Sequence, residues 1–266
     1  MPELPEVETI RRDLEKKILN KKIVEVKVIK KKVIKEPDLS EFKKGLEGEK
    51  VKEILRKAKV LIFKLRDDKF LIVHLRISGW LLYGEEDPKA RVVFKFSDGK
   101  FLNYMDPRLL GELRLRKDFK DLKFIKELGP EPFELKEEDF KKIVSSKKTK
   151  IKVLLMDQAL ISGIGNVYAQ EALFRAKISP LRESNSLSSE EISFLFKSIL
   201  EILKEAIKYR GSSVDTYRDI GGREGGMGQR LKVYGRQGEP CFVCKTPIRK
   251  ITLGGRGTCF CPKCQK

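Results

Sequence analysis

The chain has 266 residues, 40% of them hydrophobic, with 58 Lys and Arg against 39 Asp and Glu for a formal charge of +19. That length exceeds what one growing core holds, so two domains and a smaller accessory unit are expected, and the charge favours a polyanion, either nucleic acid or an anionic membrane. No apolar run reaches membrane-spanning length, no basic amphipathic helix carries a bulky apolar face, and the acidic start is not a signal peptide, which argues against a membrane protein and for a cytoplasmic one.

In chain order, Val7, Ile10, Leu14 and Ile18 recur at helical spacing after Pro5 and predict an amphipathic helix over residues 5–19. Val24, Val26 and Val28 alternate with charge, so Lys22 to Val33 reads as a strand. Val60 to Leu65 and Phe70 to Ile77 are β-rich runs joined by Arg66-Asp67-Asp68-Lys69. Val92 to Phe96 and Phe101 to Tyr104 form a predicted hairpin through Ser97-Asp98-Gly99-Lys100. Short strands in meander order predict a sandwich or a barrel over roughly the first 115 residues.

Gly129-Pro130-Glu131-Pro132 then breaks the chain, and the character changes to helix. Leu135 to Val144, Ile151 to Leu160, Asn166 to Ala176 and Ser189 to Tyr209 are the helical segments, the last opened by a Ser188-Ser189-Glu190-Glu191 start signal. Gly163-Ile164-Gly165-Asn166 is a tight turn whose backbone amides, at a helix amino end, can receive a phosphate. From Gly221 to Gly228 five of eight residues are glycine, which suggests a mobile lid.

The last segment carries Cys241-x2-Cys244 and Cys261-x2-Cys264, separated by 16 residues. Each x2 turn sets two sulfurs on one side of a tetrahedral ion, the four-cysteine zinc-ribbon pattern. Four thiolates with no open position predict one structural Zn2+ whose binding supplies the folding free energy of the ribbon. Cys259, two residues before Cys261, is read as a packed non-ligand.

Pro2 becomes a terminal secondary amine if Met1 is removed. Such an amine attacking an aldehyde-level carbon gives a permanently cationic iminium that favours elimination, with Glu3 or Glu6 placed to shuttle protons. On these residues alone a helix entry, with Pro and Glu complementing the helix dipole, is the stronger reading.

Four motifs in order change that balance. The opening MPELPEVET, the segment Ser162-Gly163-Ile164-Gly165-Asn166-Val167-Tyr168-Ala169, the run from Val233 to Cys241 and the terminal ribbon together resemble the formamidopyrimidine-DNA glycosylase family. The resemblance covers nearly the whole chain. It implies an α+β multidomain fold: an N-terminal β-sandwich catalytic domain with an N-terminal helix over 1–128, a linker over 129–134, a helical helix-two-turn-helix DNA-binding domain over 135–230 that includes the Gly-rich loop 221–228, and a zinc ribbon over 231–266. It also implies a bifunctional enzyme acting on damaged double-stranded DNA that everts an oxidised purine, removes it and cuts the strand by β,δ-elimination; an enzyme that embraces one lesion needs no partner subunit, so a monomer is expected. Extrusion is required because the sugar carbon under attack is inaccessible inside the stack.

By resemblance Pro2 is the Schiff-base nucleophile, Glu3 the general acid, Lys59 a proton donor in β-elimination and Arg256 the zinc-hairpin arginine that grips phosphate and assists δ-elimination. Asn166 corresponds to a phosphate-clamping asparagine, Lys148 and Lys152 to backbone-contacting lysines, and Arg91, more loosely, to a further contact. The Gly221 to Gly228 segment corresponds to the loop that closes over the everted base. The family fills the vacated stack with Met, Arg and Phe; this chain keeps Arg108 but reads Ile77 and Leu110 at the other two positions, where apolar wedges tolerate aliphatic side chains. Arg76 stands where some members carry glycine, and His74 is read as a packed histidine. Two alternatives stay open: an oxidised-pyrimidine glycosylase of the endonuclease VIII branch, and a non-enzymatic zinc-ribbon protein that binds nucleic acid.

Overall fold

The computed structural model describes residues 2–66, 69–214 and 216–266. Met1 and the Asp67-Asp68 part of the expected strand connection lie outside the described residues. The chain divides into two compact units, Met1–Lys126 with Tyr209–Gly228, and Glu127–Lys208 with Gln229–Lys266. Among the described residues no helix is long and apolar enough to cross a membrane.

The first unit opens with helix α1 (Leu4–Ile18), which buries Val7, Ile10, Leu14 and Ile18. Strands β1 (Ile23–Val28) and β2 (Ile34–Glu36), helix α2 (Leu39–Leu46), strands β3 (Glu53–Lys57), β4 (Val60–Lys64), β5 (Phe70–His74), β6 (Trp80–Gly84), β7 (Val92–Phe96), β8 (Phe101–Met105) and β9 (Glu112–Arg116), and the short helix α3 (Lys123–Lys126) follow. One sheet has the order β1-β7-β8-β6 and the other β2-β9-β5-β4-β3, antiparallel except for the β2–β9 pair. A core of Val26, Phe94, Leu102 and Tyr104 from one sheet, and Leu61, Phe63, Val73 and Leu113 from the other, encloses the apolar face of α1. The architecture is a sandwich. Strands β4 and β5 are apolar without alternation because Val60, Ile62 and Ile72 point the other way, into a second cluster closed by Leu122 and Ile125.

Two local expectations are corrected. The segment from Lys22 to Val33 is not one strand: β1 stops at Val28 and a 3-10 turn takes Lys31–Val33. A bulge between Ile23 and Glu25 shifts the side-chain parity, so Ile23 and Val26 are buried while Val24 is 44% exposed. Helix α2 is an addition to the elements expected from the sequence; Asp38 caps it by accepting from the Ser40 and Glu41 amides at 2.8 and 3.1 Å. The Ser97–Lys100 turn forms as expected, with Gly99 at φ +81°.

The returning segment Tyr209–Gly228 belongs to the first unit, whereas the sequence reading kept it with the helices. Tyr217 and Ile220 enter the sandwich core, and the Ile220 carbonyl accepts from the Tyr83 amide of edge strand β6 at 2.7 Å. The only tryptophan of the chain, Trp80, begins that strand and packs beside Val93 and Met105.

The second unit contains helices α4 (Glu137–Ser145), α5 (Ile151–Met156), α6 (Asn166–Arg175) and α7 (Ser189–Lys208), and the hairpin β10 (Arg249–Leu253) with β11 (Arg256–Phe260). The start of α7 is a capping box: Ser188 Oγ accepts from the Glu191 amide at 3.2 Å, and Glu191 accepts from the Ser188 amide at 2.8 Å. Helix α5 ends at Met156 rather than Leu160, because the Asp157 carboxylate accepts from the Ala159 amide at 3.0 Å and turns the chain. Gly129 and Pro130 hydrogen-bond to this turn, through Gln158 O and the Ser162 amide, at 2.9 and 3.0 Å.

Candidate functional site

In the first unit, Pro2 and Glu3 are buried at the entry of α1. The Glu3 amide donates to Glu6 Oε2 at 2.8 Å, which makes the turn after Pro2 a capped helix start. The other oxygen of Glu6 accepts from the Ser212 amide at 2.8 Å, so this carboxylate joins the chain start to the returning segment. Gly211 is confined there: at φ +79°, a Cβ on it would lie 2.8 Å from Glu6.

Lys59 lies in the two-residue turn between β3 and β4 and is 7% exposed. Arg56 donates to Glu8 Oε2 at 3.0 Å and to the Ala58 carbonyl at 2.9 Å, tying α1 to the turn that carries Lys59. Burial pushes the Glu8 carboxyl up, but hydrogen bonds from Arg11, Arg12 and Arg56 prevail and hold it at about 2. His74 runs the other way. Burial, the Arg76 guanidinium and Lys59 depress it to about 3 against a smaller pull from Glu112, so it is neutral and accepts from the Arg76 amide at 3.1 Å. This is the behaviour of a packed histidine rather than an acid or base.

Beyond β5, Arg76 and Ile77 belong to a tight turn that closes at Gly79, whose amide donates to the Leu75 carbonyl at 2.9 Å. Arg76 is engaged by Glu112 at 2.6 Å and lies over the Phe124 ring. Between β8 and β9, Arg108 is exposed and Leu110 is 44% exposed, while Leu109 between them turns into the core at φ +54°. Arg91 is partly buried, and its Nε donates to the Asp106 carbonyl at 3.1 Å.

The glycine-rich segment is wrapped around one carboxylate. Asp219, 2% exposed, accepts from the Gly221 and Arg223 amides at 2.9 Å each and from Arg210 at 2.8 Å. Gly225 lies so close to the Arg210 and Gly211 carbonyls that a Cβ would come within 2.5 and 2.2 Å of them. Glycine is required there for close approach.

In the second unit, Gln158 staples the two-turn element. Its Nε2 donates to the Met156 and Ile164 carbonyls, both at 2.8 Å, and its Oε1 accepts from the Gly163 amide at 3.0 Å. This brings Asn166 to the first position of α6, where its side-chain amide donates to the Gly257 carbonyl at 3.1 Å. Gln170, one turn on, donates to the same carbonyl at 3.2 Å and accepts from the Cys259 amide at 2.6 Å. Asn166 is thereby joined to the hairpin whose tip, Gly254-Gly255, presents an exposed Arg256. Lys148 is exposed, whereas Lys152 is fully buried in α5, so that only the former offers its side chain to solvent.

Sulfurs of Cys241, Cys244, Cys261 and Cys264 all lie within 4.8 Å of one another, with Cys244 and Cys261 at 3.4 Å and Cys241 and Cys264 at 3.9 Å. A tetrahedral ion with Zn–S bonds of about 2.3 Å requires sulfurs about 3.8 Å apart, so the donor set fits such a metal. Cys259 stands outside the group in β11, buried, facing Lys250 across the ladder. The lead-in to the ribbon is held by Glu171 of α6, whose carboxylate accepts from the Lys232, Val233 and Tyr234 amides at 2.8, 2.9 and 2.9 Å. Burial raises this carboxyl above its ordinary range despite those three donors.

Asp106, Gln170, Glu171 and Asp219 were not found by sequence reasoning. Only Gln170 carried a signal, its spacing of four from Asn166 on one helix face.

A sandwich with a capped, buried chain start, a helical unit built on a stapled two-turn segment and a four-cysteine ribbon together define a class of zinc-ribbon, helix-two-turn-helix proteins. Residues 1–113 match the family model of the formamidopyrimidine-DNA glycosylase N-terminal domain, 128–218 that of its H2TH domain, and 238–266 that of the zinc finger found in FPG and IleRS. The formamidopyrimidine-DNA glycosylase of Pelotomaculum thermopropionicum is 43% identical over 100% of this chain and 99% of its own length, and that of Bacillus cereus 41% over the same shares. A Lactococcus lactis Fpg in complex with abasic-site DNA superposes with a TM-score of 0.92 at 39% identity, covering 100% of both chains. The MutM (Fpg) protein of Thermus thermophilus superposes at 0.90 and 36% identity, covering 99% of this chain and 98% of that one. The chain belongs to the formamidopyrimidine-DNA glycosylase family.

Proposed function

We propose that this protein is a base-excision repair enzyme that removes oxidised purines, chiefly 8-oxoguanine and formamidopyrimidines, from duplex DNA and then cuts the strand. The observation that carries the reading is the chain start: Pro2 buried at a capped helix entry, with Glu3 beside it and Glu6 pinning the turn to Ser212.

With Met1 removed, the Pro2 nitrogen attacks C1′ of the everted nucleotide, and the glycosidic electron pair leaves with the base, which takes up a proton. The C1′–O4′ bond then breaks, O4′ taking a proton from Glu3, and the nitrogen–C1′ bond becomes an iminium. The iminium acidifies C2′: loss of its proton expels the 3′ phosphate, aided by Lys59. Loss of a second proton, from C4′, expels the 5′ phosphate, which Arg256 receives in its planar fork. Water releases the sugar fragment and restores the amine. Ile77, Arg108 and Leu110 fill the vacated stack, and Arg91, Lys148 and Asn166 engage the backbone; Lys152, expected there from the resemblance, is buried and has no part in this contact. The bound metal is a single structural Zn2+, held by the four ribbon cysteines, and the enzyme acts as a monomer.

Borohydride trapping of untagged protein, its Met1 removal confirmed by mass, tests this on duplexes with 8-oxoguanine, thymine glycol or an abasic site. A covalent adduct at Pro2 on the 8-oxoguanine duplex is expected. Trapping only with thymine glycol moves the substrate to oxidised pyrimidines, and no adduct from folded, DNA-binding protein ends the enzymatic reading. A protein blocked by an uncleaved amino-terminal extension should bind DNA and trap nothing.

A further inference from the structure

We infer that Asp106 is a positioning residue that locks the two wedge-bearing loops into one rigid body, so that Ile77 enters the DNA together with Arg108 and Leu110. The inference rests on the proposed function, in which those three side chains fill the space left by the everted base. What joins their loops is one carboxylate beneath them.

Asp106 is 1% exposed. Its Oδ1 accepts from Ser78 Oγ at 2.5 Å, which fixes the turn holding Ile77 one residue away. Its Oδ2 accepts from the Gly111 amide at 2.7 Å, which fixes the far end of the loop holding Arg108 and Leu110, and also from Tyr104 Oη at 3.4 Å. The Asp106 carbonyl takes Arg91 Nε at 3.1 Å and the Leu109 amide at 3.3 Å. Ser78 itself is fully buried, and Gly111 is so enclosed that a Cβ would lie 1.7 Å from Tyr104 Oη and 3.1 Å from Asp106 Oδ2. The site is therefore built around the carboxylate, with donors from both loops and no space for rearrangement. Burial and the Asp106 charge raise the Tyr104 phenol, keeping it a neutral donor.

This explains how aliphatic residues can serve where a stacking ring is absent. Ile77 and Leu110 gain little from π-stacking, so their insertion depends on being presented together at a fixed spacing. Loosening the knot should weaken eversion of a paired base, and with it the discrimination of the opposite base. It should spare cutting at a preformed abasic site, where no base has to leave the stack.

The test is single-turnover excision of 8-oxoguanine placed opposite C, A, G or T, alongside cutting of an abasic duplex, for wild type, Asp106→Ala, Asp106→Asn and Ser78→Ala. Asp106→Ala strips buried donors of their partner and is expected to slow excision about tenfold or more and to flatten the opposite-base ratios, with abasic cutting changed far less. Asp106→Asn can still accept from Gly111 and donate to Ser78 Oγ, and should recover most of the loss. Ser78→Ala frees one loop while leaving the other, and serves if Asp106→Ala does not fold. Equal losses at both substrates, or unchanged opposite-base ratios in folded, zinc-loaded Ser78→Ala and Asp106→Ala, would overturn the inference. If wild type itself does not process 8-oxoguanine, the parent reading fails instead.

Discussion

Buried titratable groups at single positions make the first unit sensitive to acid. His74 is held at about 3 against an ordinary 6.5, and Glu8 at about 2 against 4.5. In both cases the folded state binds fewer protons than the unfolded chain, so stability rises with pH. The His74 contribution is complete above about pH 6.5 and drains away as pH falls towards 3; that of Glu8 is complete above about 4.5 and drains away towards 2. Glu171, in the second unit, has the opposite sign: its raised carboxyl contributes stability that is complete below 4.5 and is lost as pH climbs through its folded value. A thermal-melt series from pH 7.5 to 4.5 on wild type and His74→Gln isolates the histidine, since the difference between the two curves should shrink with acid only over its titration range. A constant difference would show that the fold does not depress the His74 titration. Single residues were also where the sequence was least legible. Asp106 and Asp219 look like ordinary loop aspartates, and only the backbone amides that the fold brings around them give them a role. Pro2, Glu3 and Asn166 stood out because they belong to motifs, whereas the burial of Lys152 depends on how α5 lies against its neighbours and has no signature in local spacing.

At the scale of elements, the hairpin that presents Arg256 and the helix that presents Asn166 are held as one piece by Gln170. Replacing Gln170 with Ala leaves the buried Cys259 amide without its acceptor, a loss of about 1–3 kcal/mol. The hairpin should then exchange its amide hydrogens faster from Arg256 to Phe260 while the four cysteines keep their metal, and DNA affinity should fall. Slow exchange unchanged from wild type would mean that the ladder and the Asn166–Gly257 hydrogen bond suffice to hold the hairpin. Elements were largely legible. Helix α1, the Ser97–Lys100 hairpin and α7 follow from periodicity, turn residues and caps. Periodicity failed where an irregularity broke it: the bulge in β1 exchanges which valines face the core, and Asp157 stops α5 early. Strands β4 and β5 were found because apolar residues on both faces make a dense run, while β3, β6 and β9, only partly buried, give no comparable signal.

For the whole molecule, the ribbon has almost no core of its own, only Val233, Ile248 and the cysteines with Phe174 against them. Chelating the metal should therefore unfold it and weaken DNA binding, with the sandwich left folded; circular dichroism and a DNA titration on the same stripped sample would report both. A stripped sample that cut 8-oxoguanine duplexes at the normal rate would remove the ribbon from the mechanism. With a charge of +19, binding should weaken steeply with salt, and Arg256→Ala should reduce the slope of log affinity against log salt by about one. The overall plan was legible because four separated motifs fixed its order. The fate of Tyr209–Gly228 was not, since nothing in a glycine-rich stretch states which core it rejoins.

Trp80 lies two residues beyond Ser78, at the end of the turn that carries Ile77, and is the only indole in the chain. Intrinsic emission excited at the red edge of protein absorption therefore comes from one place, directly beside the loop that Asp106 holds. If Ile77, Arg108 and Leu110 enter the DNA as proposed, the protein carries its own optical probe of that insertion, and a stopped-flow trace would time the movement against base release without any label on enzyme or DNA.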